Sequence, residues 1–189
     1  MSDLSPETIR SPRLDLVVLA PALMDALITG DRAAARALAT FELREELFPE
    51  MPEDVALFCM RRDQVRADAA WAPWSLRAVV LRETNTVVGT ANFHGPPGIN
   101  DTGTPGAAEV GYTIFPDYRN AGFATEIAQT MLAWANRAHG VTHFISGVAP
   151  DNAPALRVNA KLGFVSTGNI VDGELIFELH LPPAADVNR

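Results

Sequence analysis

From Ala108 to Val148 the chain runs through a short apolar segment, "AEVGYTIF", a glycine-bearing turn, "PDYRNAGFATE", a long amphipathic stretch and a second apolar segment, "VTHFISGV". No other feature restricts the fold as much. Ala124, Ile127, Ala128, Met131, Leu132 and Ala135 recur at the i, i+3, i+4, i+7 spacing of one helix face. Arg137 and His139 suit the negative end of that helix, and Gly140 suits the left-handed residue that closes it. A strand, a helix and a second strand in one sheet make a right-handed crossover, so the two flanking strands are expected to be parallel.

The rest of the chain supplies partners for this unit. "RLDLVVL" (Arg13–Leu19) reads as a first strand with Leu14, Leu16 and Val18 on one face. "ALMDALITG" reads as a short helix closed by Gly30, and "DRAAARALATFE" as a second. Phe41–Asp54, acidic and broken by Pro49 and Pro52, reads as a loop. "EDVALFCMRRDQVRADAAW" resumes helical spacing with Val55, Phe58, Cys59, Val65 and Ala69 inward. "WSLRAVVLRE" and "TVVGTANFH" make a hairpin about Thr84–Asn85. Gly95–Ala107 is a flexible Gly/Pro-rich surface loop. "AEVGYTIF" and "VTHFISGV" are then the fourth and fifth strands. "DNAPALRVNAKLGF" is a helix capped by Asp151 or Asn152, with Pro154 in its first turn and Gly163 as its stop. A last hairpin turns at Asp172–Gly173. No repeat or internal boundary is visible, so residues 1–189 read as a single domain.

Composition narrows the function classes. A net charge of −8 and a pI of about 4.9 argue against a nucleic-acid binder and mildly favour a cationic partner. Cys59 is the only cysteine, which excludes an intrachain disulfide and a multi-cysteine zinc site. "MSDLSPETIR" has neither the basic start nor the apolar core of a secretory signal, and the apolar runs are too broken to span a membrane. A cytoplasmic location is expected.

The turn before the long helix is where chemistry enters. The first N–H groups of a helix lack internal partners and carry partial positive charge, so an anion binds there readily. Gly122 allows close backbone approach, Ala124 is small, Arg119 can add charge or brace the turn, and Thr125 offers a hydroxyl. A second segment, "NAPALRVNAKLGF", follows at the end of the next strand.

Together, "SPRLDLVVL", "AEVGYTIFPDYRNAGFATE" and "DNAPALRVNAKLGF" resemble the GNAT superfamily of N-acetyltransferases over most of the chain. They are most similar to its subgroup acting on ribosomal-protein N-termini. The motif Arg119-x-x-Gly122-x-Ala124 is similar to the family's pyrophosphate loop. The resemblance implies an α/β fold with a mixed, strongly twisted sheet of six to seven strands, helices on both faces, and parallel strands four and five splayed apart around acetyl-coenzyme A. It implies that amides of Asn120, Ala121, Gly122, Phe123, Ala124 and Thr125 hold the pyrophosphate. It also implies that Arg119 assists, that the Ile114 backbone pairs with the pantetheine arm, that an amide near Tyr112–Ile114 serves the oxyanion, and that Asn152 contacts pantetheine.

Acetyl transfer to an amine also needs a base, and Glu109 in "E-x-G-Y" is the candidate; otherwise it marks the solvated start of a strand. The thiolate donor departs from the family pattern. The position that often holds tyrosine is similar to Asn159, and the serine position one turn earlier to Ala155. Water could protonate the thiolate, Asn159 could stabilise it, or turnover could be slow or absent. The leading expectation is direct acetylation of a primary amine, a protein N-terminus or a small molecule, without a metal. The alternative is an acyl-CoA-binding regulatory module. A homodimer is compatible with either.

Other groupings carry less. His139 and His143 have metal-pair spacing, but Gly140 interrupts them and no third ligand is evident. His94 reads as a surface histidine near the acceptor's entry. Glu42, Glu45, Glu46, Glu50, Glu53 and Asp54 form either a solvated face or an attraction for a cationic amine. Trp71 and Trp74 read as packing anchors.

Overall fold

A computed structural model describes residues 7–184; the first six residues of the N-terminal stretch read above fall outside that range. The strands are β1 (Ile9–Arg10), β2 (Leu14–Val18), β3 (Arg77–Leu81), β4 (Thr86–Phe93), β5 (Ala108–Ile114), β6 (His143–Val148), β7 (Val165–Val171) and β8 (Glu174–His180). The helices are α1 (Pro21–Ile28), α2 (Arg32–Leu38), α3 (Pro52–Ala67), α4 (Phe123–His139) and α5 (Ala153–Leu162). The strands form a mixed sheet in the order β1-β2-β3-β4-β5-β6-β8-β7, with β5 and β6 parallel. The expected α/β architecture is therefore present with eight strands. The added one is the two-residue β1, too short for any periodicity, so the parallel pair is fifth and sixth in chain order.

Contacts divide the chain into two compact units, residues 1–92 with 112–121 and residues 93–111 with 122–189. In the first, α1 starts on Pro21 and buries Leu23, Met24, Ala26 and Leu27. These pack with Leu19, Phe58, Leu76, Val80, Val87 and Phe115. Asp31 caps α2 through the Ala34 amide at 3.0 Å. The β3–β4 hairpin turns with Asn85 at φ 52°, a left-handed value that asparagine tolerates. Arg77 lies buried on β3, and its guanidinium donates to the carbonyls of Glu7, Leu16 and Pro73.

Two expectations in this unit are corrected. The Phe41–Asp54 segment is no plain loop. Phe41, Leu47 and Phe48 enter the core, Glu45–Leu47 forms a 3-10 turn, Glu42 bridges to Thr86, and α3 begins at Pro52. Its acidic side chains are partly spoken for: Glu45 pairs with Arg32, and Glu46 with Arg44 at 3.0 Å. On α3 only Phe58 and Arg61 are buried; Cys59 is half-buried, and Ala69 is exposed in the following 3-10 segment, Ala69–Trp74. Alanine-poor, arginine-rich spacing gives this helix a weak apolar stripe. Trp74 is buried, as a packing anchor should be, and Trp71 half-buried.

In the second unit α4 buries Phe123, Ile127, Ala128, Met131, Leu132 and Ala135, the stripe legible in the sequence with Phe123 added and Ala124 half-buried. Gly140 closes α4 at φ 67° and Gly163 closes α5 at φ 85°, both left-handed. The β7–β8 hairpin turns at Asp172 (φ 49°) and Gly173 (φ 86°), the double positive φ that matches strand twist.

Candidate active site

The turn leading into α4 is open. Arg119 to Gly122 are exposed, and Phe123, the first residue of α4, is buried. Asn120 (φ 63°) and Gly122 (φ 82°) both adopt left-handed backbone, a conformation that recurs in turns whose successive N–H groups bind anions. Gly122 occupies the cap position of α4, and no side chain caps the helix there. Two arginines tie the carbonyls of this region back. Arg13 Nη1 donates to Ala121 O at 3.1 Å, and Arg119 Nε to Ile114 O at 3.0 Å. Because a trans peptide sets its C=O and N–H on opposite sides, the Gly122 amide points away from Arg13. Arg119 thus braces the turn; the sequence had left open whether it braces or supplies a mobile charge.

The end of β5 is shaped by a glycine. A Cβ on Gly89 of β4 would lie 2.2 Å from Thr113 O, so only glycine permits that carbonyl's approach. With Thr113 O directed at β4, the Ile114 N–H points away from it. Phe115 N donates to Val88 O at 3.0 Å, which turns the Ile114 carbonyl away from β4 as well, onto Arg119. Of the two polar groups expected to pair with a pantetheine arm, the Ile114 carbonyl is thus already engaged and the amide is the one presented. Burial pushes the Tyr112 phenol up to about 12, so it stays protonated and can only donate or accept a hydrogen bond near neutral pH.

The β5–β6 ladder is short: Ala108 pairs with Phe144 and Glu109 with Ile145, although β5 runs on to Ile114 and β6 to Val148. Glu109 sits at its last rung. It is 1% exposed, so the reading of a solvated strand start is wrong. Its Oε2 accepts from the Asp101 amide at 2.8 Å and lies 3.5 Å from His94 Nδ1, which is also 3.2 Å from Asp101 Oδ2. Burial raises the Glu109 pKa above the ordinary carboxylate value. His94 and the Asp101 amide pull it down, and the charges of Asp101 and Glu174 push it up. Gly147 on β6 accommodates both carboxylates. A Cβ there would lie 2.4 Å from Glu174 Oε2 and 3.4 Å from Glu109 Oε1. His94, expected on the surface, is a half-buried partner of this cluster.

Asn159 stands elsewhere. It is buried on α5, and its side-chain amide hydrogen-bonds Ser146 Oγ at 3.2 Å. Alternate residues of a strand face opposite sides. Ser146 therefore faces away from Ile145 and from Glu109, its partner in register. Glu109 and Asn159 are not brought into contact; they lie on opposite faces of the strand pair, next to the rung where the ladder ends. Asn152, not Asp151, caps α5, accepting from the Ala155 amide at 3.2 Å. The sequence reading missed Asp101, Gly147, Ser146 and Glu174. Asp101 stands in the Gly/Pro-rich loop and Glu174 on a distant hairpin, and neither spacing signals their meeting. Ser146 was findable from strand alternation, opposite a helix already singled out.

Comparison with known proteins adds an independent line. Residues 13–165 match the family model described as an acetyltransferase (GNAT) domain. An uncharacterized N-acetyltransferase p20 of Bacillus licheniformis is 27% identical over 97 residues, 51% of this chain and 52% of that protein. The chain thus spans about half the length of the curated relatives it matches. Among solved structures, an acetyltransferase from Agrobacterium tumefaciens str. C58 superposes with a TM-score of 0.63 at 21% identity, covering 93% of this chain and 95% of that one. RimL, a ribosomal L7/L12 alpha-N-protein acetyltransferase solved with coenzyme A, gives 0.61 at 15% identity, covering 93% and 98%. At these identities the structural likeness speaks for the fold alone.

Proposed function

Because the chain belongs to the GNAT acetyltransferase family, we propose that it transfers the acetyl group of acetyl-coenzyme A directly to a primary amine, with Glu109 as the base. The family model crosses both compact units, and we take residues 1–189 to work as one acetyltransferase domain. The acceptor is a protein N-terminus or a small-molecule amine. The acidic surroundings of Glu109, with Asp101 and Glu174, favour a cationic acceptor.

The observation that carries this reading is the buried Glu109 at the last rung of the β5–β6 ladder. An alkyl ammonium with a pKa near ~10 must lose a proton before it can attack. A carboxyl whose pKa is raised by burial is a stronger base than an exposed one, and His94 keeps its anion accessible. In the step, the ammonium proton passes to Glu109, directly or through a water. The amine lone pair forms the new C–N bond at the thioester carbonyl, the C–S electrons leave on the thiolate, and the second proton of the nitrogen is carried by water to that thiolate. An amide in Tyr112–Ile114 donates to the oxyanion, and the Ile114 amide, directed away from β4, suits that role or pairing with pantetheine. Amides of Asn120–Thr125 hold the diphosphate; the uncapped α4 terminus and the two left-handed residues support this. Asn159 with Ser146 offers hydrogen bonds to the thiolate, and water supplies the proton, since neither side chain is an acid.

The test is release of free thiol from acetyl-coenzyme A against N-terminal peptides, polyamines, amino acids and aminoglycosides. The expected outcome is release with at least one amine class, a drop of ~100-fold or more in Glu109→Gln, and unchanged coenzyme A affinity in that variant. Bound acetyl-coenzyme A with no release across the whole set would overturn the enzyme reading and leave a binding module. Cys59→Ser is expected to keep full activity, because the acyl group never rests on the protein.

A further inference from the structure

His143 was set aside as half of a metal pair because Gly140 separates it from His139. In the fold its partners come from another strand. His143 on β6 stands directly opposite His180 on β8. The neighbouring rung, where Leu181 N donates to Thr142 O at 2.8 Å, is hydrogen-bonded. His143 and His180 therefore occupy a non-hydrogen-bonded pair, the position that brings cross-strand side chains closest. Their rings stack with centroids 4.1 Å apart and planes 23° apart. Glu178, two residues before His180 and so on the same face, places Oε2 3.6 Å from His143 Nε2 and 3.7 Å from His180 Nε2. Neither distance is a hydrogen bond. His143 Nε2 is buried and has no hydrogen-bond partner among the described residues, a cost that a folded protein seldom leaves in place.

We propose that His143, Glu178 and His180 form a divalent transition-metal site, with Zn²⁺ as its best occupant, that clamps the start of β6 to the end of β8. The three ligand atoms lie within 4.8 Å of one another. Tetrahedral Zn²⁺ with bonds of ~2.0–2.1 Å needs its ligand atoms about 3.3 Å apart, so closure draws Glu178 Oε2 in by a few tenths of an ångström from its 3.6 and 3.7 Å separations and turns the two stacked rings toward a common point. Two imidazoles and one carboxylate suit zinc and its neighbours rather than Mg²⁺ or Ca²⁺. The fourth position is left to water. Gly147, beside Glu109, lies four residues along β6 from His143, about 13 Å at strand rise. Ile145 and Ile176, both buried, separate the two clusters on that face. The ion is thus structural: it gives the orphaned nitrogen a partner and joins two strands, one of which continues to the Gly147 end of the site.

Calorimetric titration of the full metal-free chain with Zn²⁺, with Co²⁺ absorption as a second readout, tests the site. One equivalent should bind at neutral pH, give Co²⁺ a tetrahedral-type visible spectrum and raise the melting temperature. His180→Ala, at a side chain 68% exposed and therefore safe for folding, should weaken binding by at least ~100-fold, more than loss of a supporting residue costs. Glu178→Gln should do the same. The sequence holds four histidines, so the controls are complete: His94→Ala and His139→Ala should bind as the parent does. Binding that survives His180→Ala, or that disappears with His94→Ala or His139→Ala, would overturn the assignment. So would the absence of any saturable binding.

Discussion

Glu109 is held between opposing influences, and each has a named source. His94 lowers its pKa, while Glu174 and Asp101 raise it on top of burial. If Glu109 is the base, kcat/KM rises with pH through its pKa to a plateau. His94→Ala should then move that rise to higher pH and Glu174→Gln to lower pH. Shifts in the same direction, read from pH–rate profiles of thiol release, would separate the profile from Glu109. On the other face, Asn159→Ala removes the hydrogen bond to buried Ser146. It should cost about 1–3 kcal/mol in chemical denaturation, with a smaller loss of activity than Glu109→Gln. At this scale the sequence singled out Glu109, because "E-x-G-Y" opens a strand, but not its neighbours. Asp101, Glu174 and Gly147 meet through long-range pairing, and a one-dimensional pattern carries no trace of that.

At the scale of elements, the turn into α4 depends on backbone that few residues can adopt. Gly122→Val forces a β-branched side chain to φ 82°, at about 1–2 kcal/mol, and crowds the turn. Coenzyme A affinity should fall while the far-UV spectrum is kept. Gly89→Ala is expected to be more damaging. Its Cβ would meet the Thr113 carbonyl backbone, and overpacking of this kind costs about 1–3 kcal/mol. Hydrogen exchange should quicken along the end of β5. The α4 stripe, its Gly140 stop and the Asp172–Gly173 hairpin were legible because local spacing or turn chemistry dictates each. Phe41–Asp54 was not: its prolines and charges suggest a loop, whereas Phe41, Leu47 and Phe48 anchor it in the core at no regular period.

Across the whole molecule, the buried carboxyl links stability to pH. Native Glu109 keeps its proton to a higher pH than the unfolded chain does, for which the ordinary value is 4.5. Between those two values the native state binds more protons, so the free energy of unfolding falls as pH rises through that window. Glu109→Gln lacks this term and should lose less stability than the parent as pH is raised from about 4.5 toward neutrality. Ligand linkage gives a second global readout: coenzyme A at about 100 times its Kd should add about 2.7 kcal/mol to the unfolding free energy. Among the described residues no helix is long and apolar enough to cross a membrane. The most direct measurement of the central claim, a diphosphate held by the amides of Asn120–Thr125, is a calorimetric comparison of coenzyme A with pantetheine, which lacks the diphosphate. Coenzyme A should bind one per chain and pantetheine ~100-fold or more weakly, a gap of about 2.7 kcal/mol. Equal affinities, or no coenzyme A binding at all, would contradict it.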